Sequence, residues 1–193
     1  MITAAGLATR QRLLAAAREL IEEGGYGSAS VAAIAEHAGV AAGTLYRHFP
    51  SKEKLFLEVF RDVCAGEERA MRAAADAASP GAVDRLEAVL TTFARRALQN
   101  RPLAWALLAE PVDPVLDAER LAYRERYASL VAAELRAAVD AGEIPAQDVA
   151  FTAAALVGGC GEALVGPLSS VDGSDQVVAS IQTFVRRAIG AAG

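Results

Sequence analysis

Apolar residues recur at helical spacing along nearly the whole chain, and apolar and polar positions nowhere alternate for long. Leu13, Ala16, Ala17, Leu20 and Ile21 mark one face of a first helix over about Thr9–Glu23, which Thr9 can cap and Gly24-Gly25 ends. Val31, Ile34, Ala35 and Ala38 mark a short second helix. Ala38-Gly39-Val40 then supplies a turn, because Gly39 takes the left-handed conformation at little cost. A third helix covers about Ala42–His48 and stops before Pro50, whose ring removes a donor and restricts the preceding residue. The core expected for these three helices is Leu13, Ala17, Leu20, Val31, Ile34, Ala35, Val40, Leu45 and Phe49.

Ser51 can cap a fourth helix that keeps its spacing through Leu55, Phe56, Val59, Phe60, Val63 and Met71 to about Ala77, before Ser79-Pro80-Gly81. A fifth covers about Val83–Gln99, Arg101-Pro102 opens a short sixth with the single tryptophan, and a long seventh follows Pro114 to about Ala141. An eighth, about 147–165, is stopped by Pro167. Ser169–Ser174 is a polar loop, and an amphipathic ninth covers about 175–189. The eighth differs from the others in having no charge from Val149 to Gly161. A helix apolar all round is either a central core helix or is shared with another chain. The small residues Ala153, Ala154, Gly158, Gly159 and Gly161 would let a second helix approach closely.

Two short helices joined by a glycine turn have helix-turn-helix geometry, whose second helix can enter a DNA major groove. The net charge of −5 over 193 residues argues at first against a nucleic-acid partner. Its distribution changes that picture. Residues 1–60 carry six basic and six acidic side chains, so the acidic excess lies beyond them, and Arg47, His48, Lys52 and Lys54 cluster with only Glu53 among them. Cys64 and Cys160 are far apart, which points to neither a disulfide framework nor a metal site, and a reducing cytoplasm is expected. No signal peptide is expected, and the longest uncharged run is too short to span a bilayer. No catalytic constellation is present: the only histidines, His37 and His48, both lie in the helix-turn-helix. The expectation is an all-α protein that is not an enzyme and needs no cofactor.

Gly25-Tyr26, Ala38-Gly39-Val40, Gly43-Thr44-Leu45-Tyr46, His48-Phe49 and Ser51-Lys52, in that order, resemble the DNA-binding domain of the TetR family of transcriptional regulators. The resemblance is specific from about Thr9 to Leu57. It implies a helix-turn-helix domain over 1–50, with its motif at about 30–49, and a helical effector-binding and dimerisation domain over 51–193, linked by the helix at 51–77. Ser30, Ala42, Gly43, Thr44, Tyr46, Arg47, His48 and Lys52 are the expected DNA contacts. Arg47 and Thr44 would read bases, whereas Ser30, Tyr46, His48 and Lys52 would hold phosphates.

Two departures from the family pattern stand out. Ala41 replaces a usual capping serine, and Ala32 and Ala33 stand where polar or basic residues are common, so fewer base contacts are expected. The family also implies a homodimer through the helices at 147–165 and 175–189, and a pocket for a small effector. Candidate pocket residues are Phe93, Trp105, Tyr123, Tyr127, Cys160 and Glu162, with Arg96 or Arg124 as partners for an anionic group. Such a lining favours an apolar or amphipathic ligand. Glu162 would serve either the ligand or the dimer. The function implied is a ligand-responsive regulator, most often a repressor, released from a palindromic operator. The alternative is a helical protein-binding or assembly module that has lost DNA binding.

Overall fold

A computed structural model describes residues 4–166, 168 and 173–191. The described residues form nine helices and no strand: α1 (Ala4–Ser28), α2 (Val31–His37), α3 (Ala42–His48), α4 (Lys52–Ala77), α5 (Ala82–Gln99), α6 (Arg101–Leu108), α7 (Pro114–Asp140), α8 (Val149–Val165) and α9 (Ser174–Ile189). Pro167 and residues 169–172 of the expected loop lie outside the described residues, and Ser174 opens α9.

The first helix starts earlier than expected. It begins at Ala4, and Thr9 lies inside it with its hydroxyl donating to the Ala5 carbonyl at 3.0 Å, so Thr9 is not its cap. At the other end Gly24 (φ −150°) and Gly25 (φ 77°) leave the helical conformation where the glycine pair was expected to stop the helix, and a short helical stretch follows to Ser28. Gly25 supplies the positive φ that an L side chain would resist. Gly39 does the same between α2 and α3, at φ 65°.

The chain forms two compact units. The first comprises residues 1–64 and 100–117, and the second 65–99 and 118–193. The division therefore differs from a cut after residue 50. The first half of α4 belongs with the three-helix bundle because Leu55, Phe56, Val59 and Phe60 are buried there. So does α6, which packs along α1. In the bundle core, Leu13, Ala17, Ile34, Ala35, Leu45 and Phe49 are buried as expected, while Leu20, Val31 and Val40 are only partly covered. Ala16, Ile21 and Ala29 are buried in addition.

In the second unit α5 packs against α8 and α9. Arg186 of α9 holds Glu87 of α5, with Nε–Oε1 at 2.5 Å and Nη2 donating to Oε2 at 3.1 Å. The Glu143 carboxylate accepts from the amides of Ala82 and Val83 at 3.0 and 2.9 Å, serving the otherwise orphan donors at the start of α5. Those bonds hold its carboxyl below the usual range. Within α8, Ala153, Leu156, Val157, Cys160 and Leu164 are buried, whereas Phe151, Ala154, Ala155, Gly158, Gly159 and Glu162 face outward. The uncharged helix is thus not a central core helix of the single chain; one of its apolar faces is open.

Candidate nucleic-acid interface

Ser30 sits in extended conformation (φ −67°, ψ 157°) and its Oγ accepts from the Ala33 amide at 3.1 Å, capping α2. The turn follows through Gly39 N–H to Glu36 O (3.0 Å) and Val40 N–H to Ala35 O (2.9 Å). Ala41 has the backbone of an N-cap (φ −66°, ψ 144°) but no side chain to cap with. Ala41→Ser should therefore raise stability by about 1 kcal/mol, read as the shift in the thermal or urea midpoint, with an unchanged midpoint counting against it.

α3 is anchored by one of its residues, Leu45, fully buried, and by Phe49 just beyond its end. Ala42, Gly43, Tyr46 and Arg47 are exposed, and Thr44 and His48 are partly so. Tyr46, with 58% of its surface accessible, is therefore not a core aromatic, whereas Phe49 at 1% is. Arg47 Nη2 donates to Thr44 Oγ1 at 2.9 Å, which places the two expected base readers side by side. A Cβ added at Gly43 would meet nothing within 4 Å, so packing inside the chain does not ask for glycine there. The bundle is braced from outside: Arg10 of α1 ion-pairs with Glu58 of α4, and its guanidinium lies 4.8 Å from the Phe49 ring centroid. His37 Nε2 lies 2.6 Å from Glu19 Oε2 and ties α2 to α1.

Lys52 is placed differently from a free surface cation. Its Nζ donates to the Tyr26 carbonyl at 2.9 Å and lies 3.7 Å from the centroid of the Tyr26 ring. Burial holds its pKa below the usual lysine value, while Glu53 and Glu110 act in the opposite sense. Tyr26 packs on Phe56 (centroids 4.6 Å apart) and donates to Glu53 Oε1 at 3.2 Å; burial and that carboxylate push its phenol well up. Gly25-Tyr26, which the resemblance picked out, is thus the seat of Lys52. The Glu110 carboxylate, which also accepts from the Tyr26 and Gly27 amides, had no signal in the sequence, since 84 residues separate Glu110 from Tyr26.

Residues 13–59 match the model described as bacterial regulatory proteins, tetR family, and residues 79–164 match that of the tetracyclin repressor-like C-terminal domain. The HTH-type transcriptional regulator UidR of Escherichia coli (strain K12) is 31% identical over 170 residues, covering 86% of this chain and 83% of that protein. The chain belongs to the TetR family. It is a helix-turn-helix transcriptional regulator. Among its other relatives, the repressor KstR of Mycobacterium tuberculosis is 36% identical over 95 residues, 49% of this chain and 42% of its own. The solved structure of FadR from Bacillus subtilis in complex with stearoyl-CoA shares the fold, with TM-score 0.77, 22% identity, and coverage of 95% of this chain and 99% of that one.

The TetR-family effector candidates are only partly brought together. Phe93 and Tyr127 have ring centroids 6.1 Å apart, and so do Tyr123 and Tyr127. Cys160 is buried, and burial pushes its thiol up to about 11, far from a reactive thiolate. Trp105 belongs to the first compact unit and is 45% accessible, and Glu162 is exposed on α8. Arg124 is exposed, and Arg96 is held by Glu67 at 2.5 Å. Arg120, only 8% accessible, is a cation the sequence reading passed over. Its spacing of three and seven residues before Tyr123 and Tyr127 was legible, but its charge placed it on the surface by default.

Among the described residues, no group of His, Cys, Asp and Glu could hold a metal ion, and no helix is long and apolar enough to cross a membrane.

Proposed function

We propose that this TetR-family chain acts in the cytoplasm as a homodimer, docking one α3 per subunit in successive major grooves of a palindromic operator. The observation that carries the reading is the outward display of α3: Leu45 anchors it, while Thr44, Tyr46 and Arg47 face solvent beside a glycine the fold itself does not need. Bare backbone at Gly43 lets a groove edge or phosphate reach the amides of Ala42 and Gly43. Arg47 reads guanine through its fork of donors and Thr44 reads a neighbouring base. Ser30, Tyr46 and His48 hold phosphates. Lys52 contributes positive potential from its seat on Tyr26, with fewer free donors than an extended lysine.

The dimer forms through α8 and α9. An exposed stripe of Phe151, Ala154, Ala155 and Gly158 supports it, together with the groove on α9 lined by Ala179, Thr183, Phe184 and Ala188. The effector is apolar or amphipathic and lies against Phe93, Tyr123 and Tyr127, with the buried Arg120, three residues before Tyr123, as a candidate for an anionic group. It releases DNA by favouring a state whose recognition helices no longer match half-sites about 34–36 Å apart. Moving that population from 1:99 to 99:1 requires a differential affinity of about 5.5 kcal/mol. No turnover of the effector is involved.

Selection of bound fragments from random duplex DNA, at low and near-physiological salt, tests the reading. Recovery of a palindrome with half-sites one helical turn apart supports it. Binding that stays weak and unenriched at low salt would instead favour a helical assembly module, because phosphate contacts must show as salt-dependent affinity.

A further inference from the structure

The link between α1 and α2 is held by a residue far from the helix-turn-helix in sequence. Glu110, two residues beyond α6, aims both carboxylate oxygens at this link: Oε2 accepts from the Tyr26 amide at 2.7 Å and Oε1 from the Gly27 amide at 3.0 Å. The link is bent where the helical path breaks at Gly24 and Gly25, and a Cβ added at Gly25 would stand 3.0 Å from Glu110 Oε2. On its other side the Tyr26 carbonyl accepts from Lys52. One peptide segment is thus gripped through its donors by an anion from the α6 corner and through its acceptor by a cation from α4. Glycine-rich backbone has little conformational preference of its own. The angle at which α2 and α3 leave α1 therefore depends on these side chains.

We infer that Glu110 is a positioning residue for operator binding: its carboxylate sets the bend at Gly25–Gly27 and through it the orientation of the recognition helix. Charge-assisted hydrogen bonds to two backbone amides are the strong kind, and both are lost or weakened together when the carboxylate goes. Glu110 contacts no DNA in this scheme, so its removal changes geometry without changing the number of neutralised phosphates. The inference rests on the operator reading above.

The test compares wild type and Glu110→Gln, which keeps the size but offers one carbonyl acceptor and no charge. Operator affinity is measured across a salt series, thermal midpoint alongside, and the separation of spin labels at Tyr46→Cys in the DNA-free dimer by dipolar spectroscopy. Expected are an affinity loss of about tenfold, an unchanged salt slope, and a broadened label separation in a dimer that remains folded. Wild-type affinity with a wild-type separation in Glu110→Gln would overturn the inference. If Glu110→Gln does not fold, Glu110→Asp decides: it keeps the charge but reaches one amide, and should fall between the two. Absence of operator binding by wild type itself would instead locate the failure in the regulatory reading, and would remove this inference with it.

Discussion

Gly158→Leu is expected to leave each protomer folded while abolishing the dimer and lowering operator affinity by about 10²–10⁴-fold. Gly158 is exposed on α8, and an added Cβ there would meet nothing within 4 Å inside the chain. Neighbouring Gly159 and Gly161 are equally open. Glycine in a helix interior costs roughly 0.8–1.0 kcal/mol relative to alanine, and leucine is among the better helix formers. The single protomer should therefore gain helix stability from the change. The loss appears only if another helix packs against that face, where a leucine would hold the two backbones apart. Once the subunits separate, each recognition domain binds one half-site alone and the linked second contact disappears. Sedimentation and operator titration read both effects on the same sample. A variant that still sediments as a dimer and binds as wild type would refute the α8–α9 interface.

The second large effect is expected at Arg47. Arg47→Ala should cost about 1–3 kcal/mol in discrimination at one operator position, while affinity for random duplex falls far less. The distinction follows from where the side chain stands. Arg47 projects from exposed α3 with Thr44 as its hydrogen-bond partner, and no acidic residue lies on that helix. Lys52→Ala should behave differently, weakening all duplexes alike and also loosening the Tyr26 segment it holds. Competition binding against a panel of singly substituted operators measures the difference. If Arg47→Ala keeps the wild-type ranking of that panel, base readout lies elsewhere on the helix-turn-helix.

The relation between sequence and structure is uneven along the chain, for physical reasons. α2, α3 and their turn were legible because their determinants are local: apolar spacing on one face, Gly39 with φ 65° and Pro50 beyond the end. The start of α1 was misplaced for a local reason too. Thr9 is a good capping residue, but it bonds equally well to a carbonyl four residues back when the chain ahead of it is already helical. Ala4–Leu7 supplied that helix without a capping signal. Phe93, Tyr123 and Tyr127 were expected together only through the family resemblance, and so was Trp105, whose neighbours no local spacing reveals. Its helix, α6, packs on α1, a partner nearly a hundred residues earlier.

By itself, then, the sequence determined the all-helical class, the helix-turn-helix with its displayed Thr44, Tyr46 and Arg47, and the anomalous uncharged stretch in α8. Each rests on periodicity, capping or turn chemistry, which act within a few residues. Only the tertiary structure decided that Lys52 is seated on Tyr26, that Glu110 grips the same segment from the far side, and that α8 leaves its small-residue face uncovered. Those outcomes depend on which distant surfaces meet, and no spacing along the chain encodes the meeting of residues 26 and 110.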